Sequence, residues 1–136
     1  MPEPGSIAVV IPTHNRCELL RRTLSRTLSL MRDGTSVVVF ADACTDGTLS
    51  MLKGEFPGVE VVSVNEKVGY AVARNRVFRE CGREFVLSLD DDSWPLDADF
   101  GGIIRRQFAR VPEAAFLAGN VHDQQHPDGA VPVGVS

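Results

Sequence analysis

Three adjacent carboxylates, Asp90, Asp91 and Asp92, stand between the apolar run "EFVLSL" (84–89) and a Ser93-Trp94-Pro95 turn. Clustered carboxylates repel and raise one another's pKa values unless a cation compensates. Hard divalent metals take oxygen ligands, and magnesium commonly uses one or two carboxylates together with substrate phosphates. Such a metal lets an acidic site receive an anionic diphosphate and stabilises charge on the diphosphate as it departs. Asp90 or Asp92 as a metal ligand is therefore the leading chemical reading. The plain alternative is a solvated turn whose charges favour the start of the next helix.

Three further polar segments each follow an apolar run: "PTHNR" (12–16), "DACTDGT" (42–48) and "NEKVGYAVARN" (65–75). The runs before them, "SIAVVI" (6–11), "SVVVFA" (36–41) and "VEVVSV" (59–64), read as strands, the first two as buried ones and the first of them β-branched and ended by Pro12. Between them lie helical periodicities. Leu19, Leu20, Leu24, Leu28 and Met31 share one stripe, with Asn15 and Glu18 spaced as a capping box. Leu49, Leu52 and Phe56 mark a short helix closed by Pro57-Gly58. Ala73, Val77 and Cys81 mark a helix over 70–81 with Gly82 as its C-terminal cap. Phe100, Ile103, Ile104, Phe108 and Val111 form a last stripe, and "AAFLAG" (114–119) reads as a fifth strand. Residues 120–136 show no period and read as an irregular tail after a domain spanning 1–119. Strand–helix alternation predicts an α/β fold, a mostly parallel sheet with helices on both faces. Ligands of such sheets bind outside the carboxyl ends of the strands, which puts all four polar segments on one rim.

The 136 residues suffice for one domain that buries roughly two-thirds of its unfolded surface. With 43% hydrophobic and 24% charged residues the chain reads as globular, and a net charge of -4 offers no electrostatic footprint for nucleic acid. Cys17, Cys44 and Cys81 are odd in number and lack a CxxC, which argues against a disulfide framework or zinc site and fits the cytoplasm. The start "MPEPGS" has no signal-peptide pattern, and no apolar run can span a bilayer, although contact with a membrane surface stays open. Neither GxxxxGK[ST], nor GxGxxG after the first strand, nor GxSxG occurs, so P-loop, dinucleotide and α/β-hydrolase chemistries lack their motifs.

The ordered set "VVIPTHNR" (9–16), "VVFADACTDGT" (38–48), "ARN" (73–75) and "LSLDDDSWP" (87–95) resembles the nucleotide-sugar-binding half of a family-2 glycosyltransferase with the GT-A fold. The resemblance covers residues 6–119. It implies binding of a nucleotide-diphosphate sugar with Mn2+ or Mg2+, for transfer of the sugar to an acceptor that the residues leave unspecified. Pro12, Thr13 and His14 would then approach base and ribose, and Asp42 would accept a hydrogen bond from the base ring. Arg74 and Asn75 would face the diphosphate or ribose. Asp90 and Asp92 would be the Asp-x-Asp pair, Asp92 nearest the metal and Asp90 nearer the ribose, with Asp91 in the variable middle position of the donor site. The acceptor half and its general base would lie beyond residue 119, so the chain alone is expected to be inactive in transfer. Without that half the fourth strand would be an edge, giving a possible homodimer.

Ala41, Ala43 and Cys44 depart from the family's usual acid, glycine and serine. Thr45 and Asp46 read as caps of the short helix, and a nucleophilic role for Cys44 lacks a partnering histidine. His122, Asp123 and His126 could ligate a metal or be simple loop residues. Two other functions use the same rim: a non-catalytic nucleotide-sugar-binding module, and a nucleotidyltransferase, although the glycine-rich loop of the latter is missing.

Overall fold

The computed structural model describes residues 1–32, 34–123 and 126–131, with side chains up to His122. Two compact units are present, Met1–Ile104 and Arg105–Ser136.

In the first unit, β1 (Glu3–Thr13), β2 (Thr35–Asp42), β3 (Glu60–Val64) and β4 (Arg83–Ser88) form one parallel sheet in the order β3-β2-β1-β4. Helices α1 (Cys17–Ser29), α2 (Thr48–Glu55) and α3 (Tyr70–Glu80) connect them, and α4 (Phe100–Arg110) follows β4. The unbroken apolar runs have a simple cause: the central strands are buried on both faces. Val9, Ile11, Val37 and Val39 point to one face and are covered by Leu20 and Leu24 of α1, Met51 and Leu52 of α2, and Phe100 of α4. Ala8, Val10, Val38 and Phe40 point to the other, covered by Ala73 and Val77 of α3. Each Val, Leu, Ile, Phe or Met side chain among them, taken fully out of water, contributes about 1.5–3 kcal/mol.

The strand order reverses at β1, which has β2 on one side and β4 on the other. The switch point at which open α/β sheets bind ligands therefore falls between the carboxyl ends of β1 and β4. Gly82, with φ +63, ends α3 in the left-handed conformation that its missing Cβ permits.

Two expectations fail. Residues 114–119 are not a strand: alanine gives little for a sheet to pack, and Phe116 is 78% exposed. The expected irregular stretch after 119 instead contains β5 (Val121–Asp123) and β6 (His126–Val131), an antiparallel pair with a register shift between His122 and Asp123. Strands this short, with Pro127 and Gly129 inside β6, leave no readable period. Residues 124, 125 and 132–136 of that stretch lie outside the described residues.

Candidate functional site

The acidic turn begins two residues after β4. Ser93 N–H donates to the Asp90 carbonyl at 3.1 Å, so the triplet bends back on itself instead of continuing the strand. The bend separates the three carboxylates. Asp90 and Asp92 face outward, with side chains 67% and 51% exposed, while Asp91 is 2% exposed. The Thr13 hydroxyl donates to one Asp91 oxygen at 2.8 Å and the Arg16 guanidinium donates to the other at 2.7 Å. The Thr23 hydroxyl of α1 donates to the Asp91 carbonyl at 2.6 Å. Burial is the largest influence on the Asp91 carboxyl and raises it; Thr13 and Arg16 pull it down, Asp92 and Asp90 push it up, and it settles above the usual aspartate value. Asp91, grouped above with the donor-contacting positions, thus faces the core and fastens β4's turn to the end of β1. Of the trio expected beside base and ribose, Pro12 and Thr13 have buried side chains and His14 is half-buried at the rim.

Arg16 was not singled out by sequence reasoning, although "PTHNR" contains it. Its second guanidinium nitrogen lies 3.7 Å from Asp92. The pattern that could have found it is an arginine just before a helix at one strand end, with surplus carboxylates at the neighbouring strand end.

On the other side of the turn, Arg74 donates to Asp90 and to the Ser88 hydroxyl, the latter at 2.9 Å. Its guanidinium carbon is 5.9 Å from the centre of the Tyr70 ring. Arg76 instead pairs with Glu80 along the helix at 3.3 Å, so Arg74 is the arginine of this pair that serves the rim. Asn75, the next residue on α3, is exposed.

Asp42 ends β2 and is 1% exposed. Its two carboxylate oxygens accept the backbone N–H groups of Val68 and Gly69, each at 2.8 Å. Gly69, with φ +85, takes a conformation closed to most side chains and so lets the 65–69 loop present both amides. The Asp42 carbonyl accepts His14 Nδ1–H at 2.6 Å, which fixes the ring's orientation at the rim. Ala43, where the family has glycine, sits at φ +53, so the departure is accommodated as local strain.

Asn15 does not cap α1. It lies at φ +51, and its side-chain carbonyl accepts the N–H groups of Thr45 and Asp46 at 2.7 and 3.2 Å. The α1 terminus is served instead by Asp46, which accepts Cys17 N–H at 3.2 Å and also Thr48 N–H at 3.0 Å and the Thr48 hydroxyl at 2.6 Å. Asp46 therefore holds the first N–H of α2 and of α1. Thr45, expected beside it as a cap, pairs with Asn15, and the N-cap position of α2 is Gly47. Burial works against the Asp46 charge, but the bonds from Thr48, Cys17 and its own amide outweigh that and hold the carboxyl below its usual value. The Cys44 thiol donates to the Thr13 carbonyl at 3.7 Å, and burial pushes its pKa up, the wrong direction for a nucleophile.

The outward pair, Asp90 and Asp92, offers hard oxygen donors of the kind magnesium and manganese take. Among the described residues no group of three or more His, Cys, Asp or Glu side chains could hold a metal unaided. A two-carboxylate site fits a metal whose remaining ligands are phosphate and water. His122 is exposed on β5, and the side chains of Asp123 and His126 lie outside the described residues. No helix among the described residues is long and apolar enough to cross a membrane.

Comparison with known proteins agrees with this geometry. The model of glycosyl transferase family 2 matches residues 8–126. TuaG from Bacillus subtilis (strain 168), named as a teichuronic acid biosynthesis glycosyltransferase, is 28% identical over 96 residues, 67% of this chain and 38% of its own length. The mannosyltransferase PcManGT from Pyrobaculum calidifontis, solved with GDP-Man and Mn2+, is 29% identical with a TM-score of 0.59 over 73% of this chain and 32% of that one. S. aureus TarS 1-349, solved with UDP-GlcNAc, shares the fold with a TM-score of 0.66 at 22% identity, over 77% of this chain and 31% of that one. The chain thus spans about a third of the length of these relatives, 31–38%, and its mostly parallel sheet is that of GT-A glycosyltransferases. The chain belongs to glycosyl transferase family 2.

Proposed function

We propose that this chain binds a nucleotide-diphosphate sugar together with a divalent metal, as the donor-binding part of a glycosyltransferase. The observation that carries the reading is the acidic turn: two exposed carboxylates at the switch point between β1 and β4, beside a third that is buried. The presence of Mn2+ with GDP-Man in PcManGT supports it.

In this reading Asp92 is the principal metal ligand and Asp90 the second, or the contact to the ribose. A bound metal would offset the negative charge that accumulates on the departing diphosphate. Arg74, already aimed at Asp90, is placed to share itself with the diphosphate, and Asn75 to contact the diphosphate or ribose. His14 presents its ring to the base or ribose. Asp42 acts on the base side of the site, its carboxylate shaping the 65–69 loop while the chain around it supplies the base contact. Transfer to an acceptor is part of the same proposal for the whole protein. The general base that it needs is assigned to none of these residues.

Calorimetric titration with a panel of nucleoside diphosphates, with and without manganese, tests the reading. One nucleotide should bind best, and manganese should tighten it. Equal, metal-independent heats across the panel would contradict it.

A further inference from the structure

Arg16 is the one cation that approaches two members of the acidic triplet, Asp91 at 2.7 Å and Asp92 at 3.7 Å, among the ion pairs described. It does so from the residue just before α1, and α1 grips the same turn twice more. Thr23 holds the Asp91 carbonyl, and the Arg26 guanidinium lies 4.0 Å from the centre of the Trp94 ring. Thr13 satisfies one Asp91 carboxylate oxygen and Thr23 only its backbone carbonyl, so the second carboxylate oxygen is left to Arg16. Arg16 adds a planar fork with one prong on the buried carboxylate and the other toward the outward one. A fork fixes direction as well as charge, which a lysine ammonium cannot do.

We propose that Arg16 is a positioning residue for the metal-binding pair. By holding Asp91 it keeps the triplet bent, so that Asp90 and Asp92 stand outward together. Its charge also offsets that of the triplet before a metal arrives. The inference rests on the donor-binding reading above and deepens it. Arg16 acts on the metal through its carboxylate neighbours, as the outer partners of metal ligands do, and loss of such partners commonly weakens metal affinity roughly 10–100-fold.

The test uses the full chain with manganese and the best-binding nucleoside diphosphate from the panel. Affinity is measured by calorimetry with and without metal, and free manganese is followed by its electron paramagnetic resonance signal. Arg16→Met keeps the apolar stem at a position 43% exposed but leaves one buried Asp91 oxygen unpaired. Its folding is therefore verified by urea unfolding first, and Arg16→Lys, which keeps a cation, decides the matter if it fails. Arg16→Met should lose roughly tenfold or more of manganese-supported affinity, with metal-free nucleotide binding unchanged. Arg16→Lys should recover part of the loss. Asp91→Asn should lose a comparable factor, and the double variant should be no worse than the weaker single, because the two act as one unit. Parent-like or stronger manganese-supported binding in Arg16→Met overturns the inference. So does an equal loss with and without metal, which would make Arg16 a general nucleotide contact. If Asp91→Asn does not fold, Arg16→Met and Arg16→Lys decide the matter alone. A parent that shows no manganese effect overturns the donor reading, and this inference with it.

Discussion

Asp42 and Asp91 are both carboxylates at strand ends, both sealed from solvent, yet they are held in opposite ways. Asp42 is satisfied by two backbone amides from the loop before α3. Asp91 is satisfied by two side chains, a hydroxyl and a guanidinium, from the end of β1 and the residue before α1. Backbone amides can be supplied by many sequences, so the Asp42 tie depends on loop shape, above all on Gly69. The Asp91 tie depends on the identity of Thr13 and Arg16. The first shapes a loop beside the base side of the rim; the second aims the outward carboxylates. One rim therefore has a side built from backbone and a side built from charge.

The largest difference should appear in stability. Asp91→Ala strands the buried Thr13 hydroxyl and removes the partner of Arg16. Breaking a fully buried pair costs about 3–5 kcal/mol, but Arg16 is half-exposed and can turn to water, so about 2–3 kcal/mol is expected by urea unfolding. Asp42→Ala frees two amides in an exposed loop that water can reach, and should cost about 1–2 kcal/mol. Its signature should be local: faster hydrogen exchange at Val68 and Gly69, and weaker discrimination among nucleotides with the metal effect kept. An Asp42→Ala cost as large as that of Asp91→Ala, or an unaltered nucleotide preference, would erase the contrast.

Smaller still is the strain beside Asp42. Ala43→Gly should relieve a left-handed φ worth about 1–2 kcal/mol, less the entropy that glycine adds to the unfolded chain, for a net gain below about 1 kcal/mol in thermal unfolding. A loss of stability would mean that the Ala43 methyl packs usefully.

The smallest effect concerns Asp46, which couples α1 and α2 to this same region. Its carboxyl lies lower in the folded chain than in the unfolded one. The sign follows: its contribution is present above the unfolded value, about 4, and is lost as pH falls through the folded value. Asp46→Asn should therefore approach the parent in stability as the pH drops below about 4. A gap that widened on acidification would reverse the assignment.

Much of this architecture is legible in sequence. The central strands β1 and β2 show as unbroken apolar runs because they are covered on both faces. The edge strands β3 and β4 instead carry polar residues at exposed positions and are placed by their alternation with helices. Helices α1 and α3 show through Leu20 and Leu24, or Ala73 and Val77, at helical spacing. The rim follows from topology once the strands are placed. The fate of each carboxylate does not. Asp90, Asp91 and Asp92 are chemically identical in sequence, and the buried one is chosen by Thr13 and Arg16, more than seventy positions away. Asn15 misleads for a related reason: its spacing to Glu18 suits a capping box, but its left-handed backbone turns the side chain toward Thr45 and Asp46. The β5–β6 pairing is invisible to periodicity, since β5 has three residues and β6 is interrupted by Pro127 and Gly129.

The central claim is that the outward carboxylates receive a metal which in turn receives a diphosphate. Calorimetry of Asp92→Asn against the parent, each titrated with the preferred nucleoside diphosphate in manganese, tests it most directly. Asp92 is exposed and outside the core, so the fold should survive, as unfolding curves can verify. Loss of one charged ligand should cost about 1.5–3 kcal/mol of manganese-supported binding, leaving metal-free binding as it was. Equal affinity of variant and parent in manganese would contradict the assignment of Asp92 and remove the basis for the metal site.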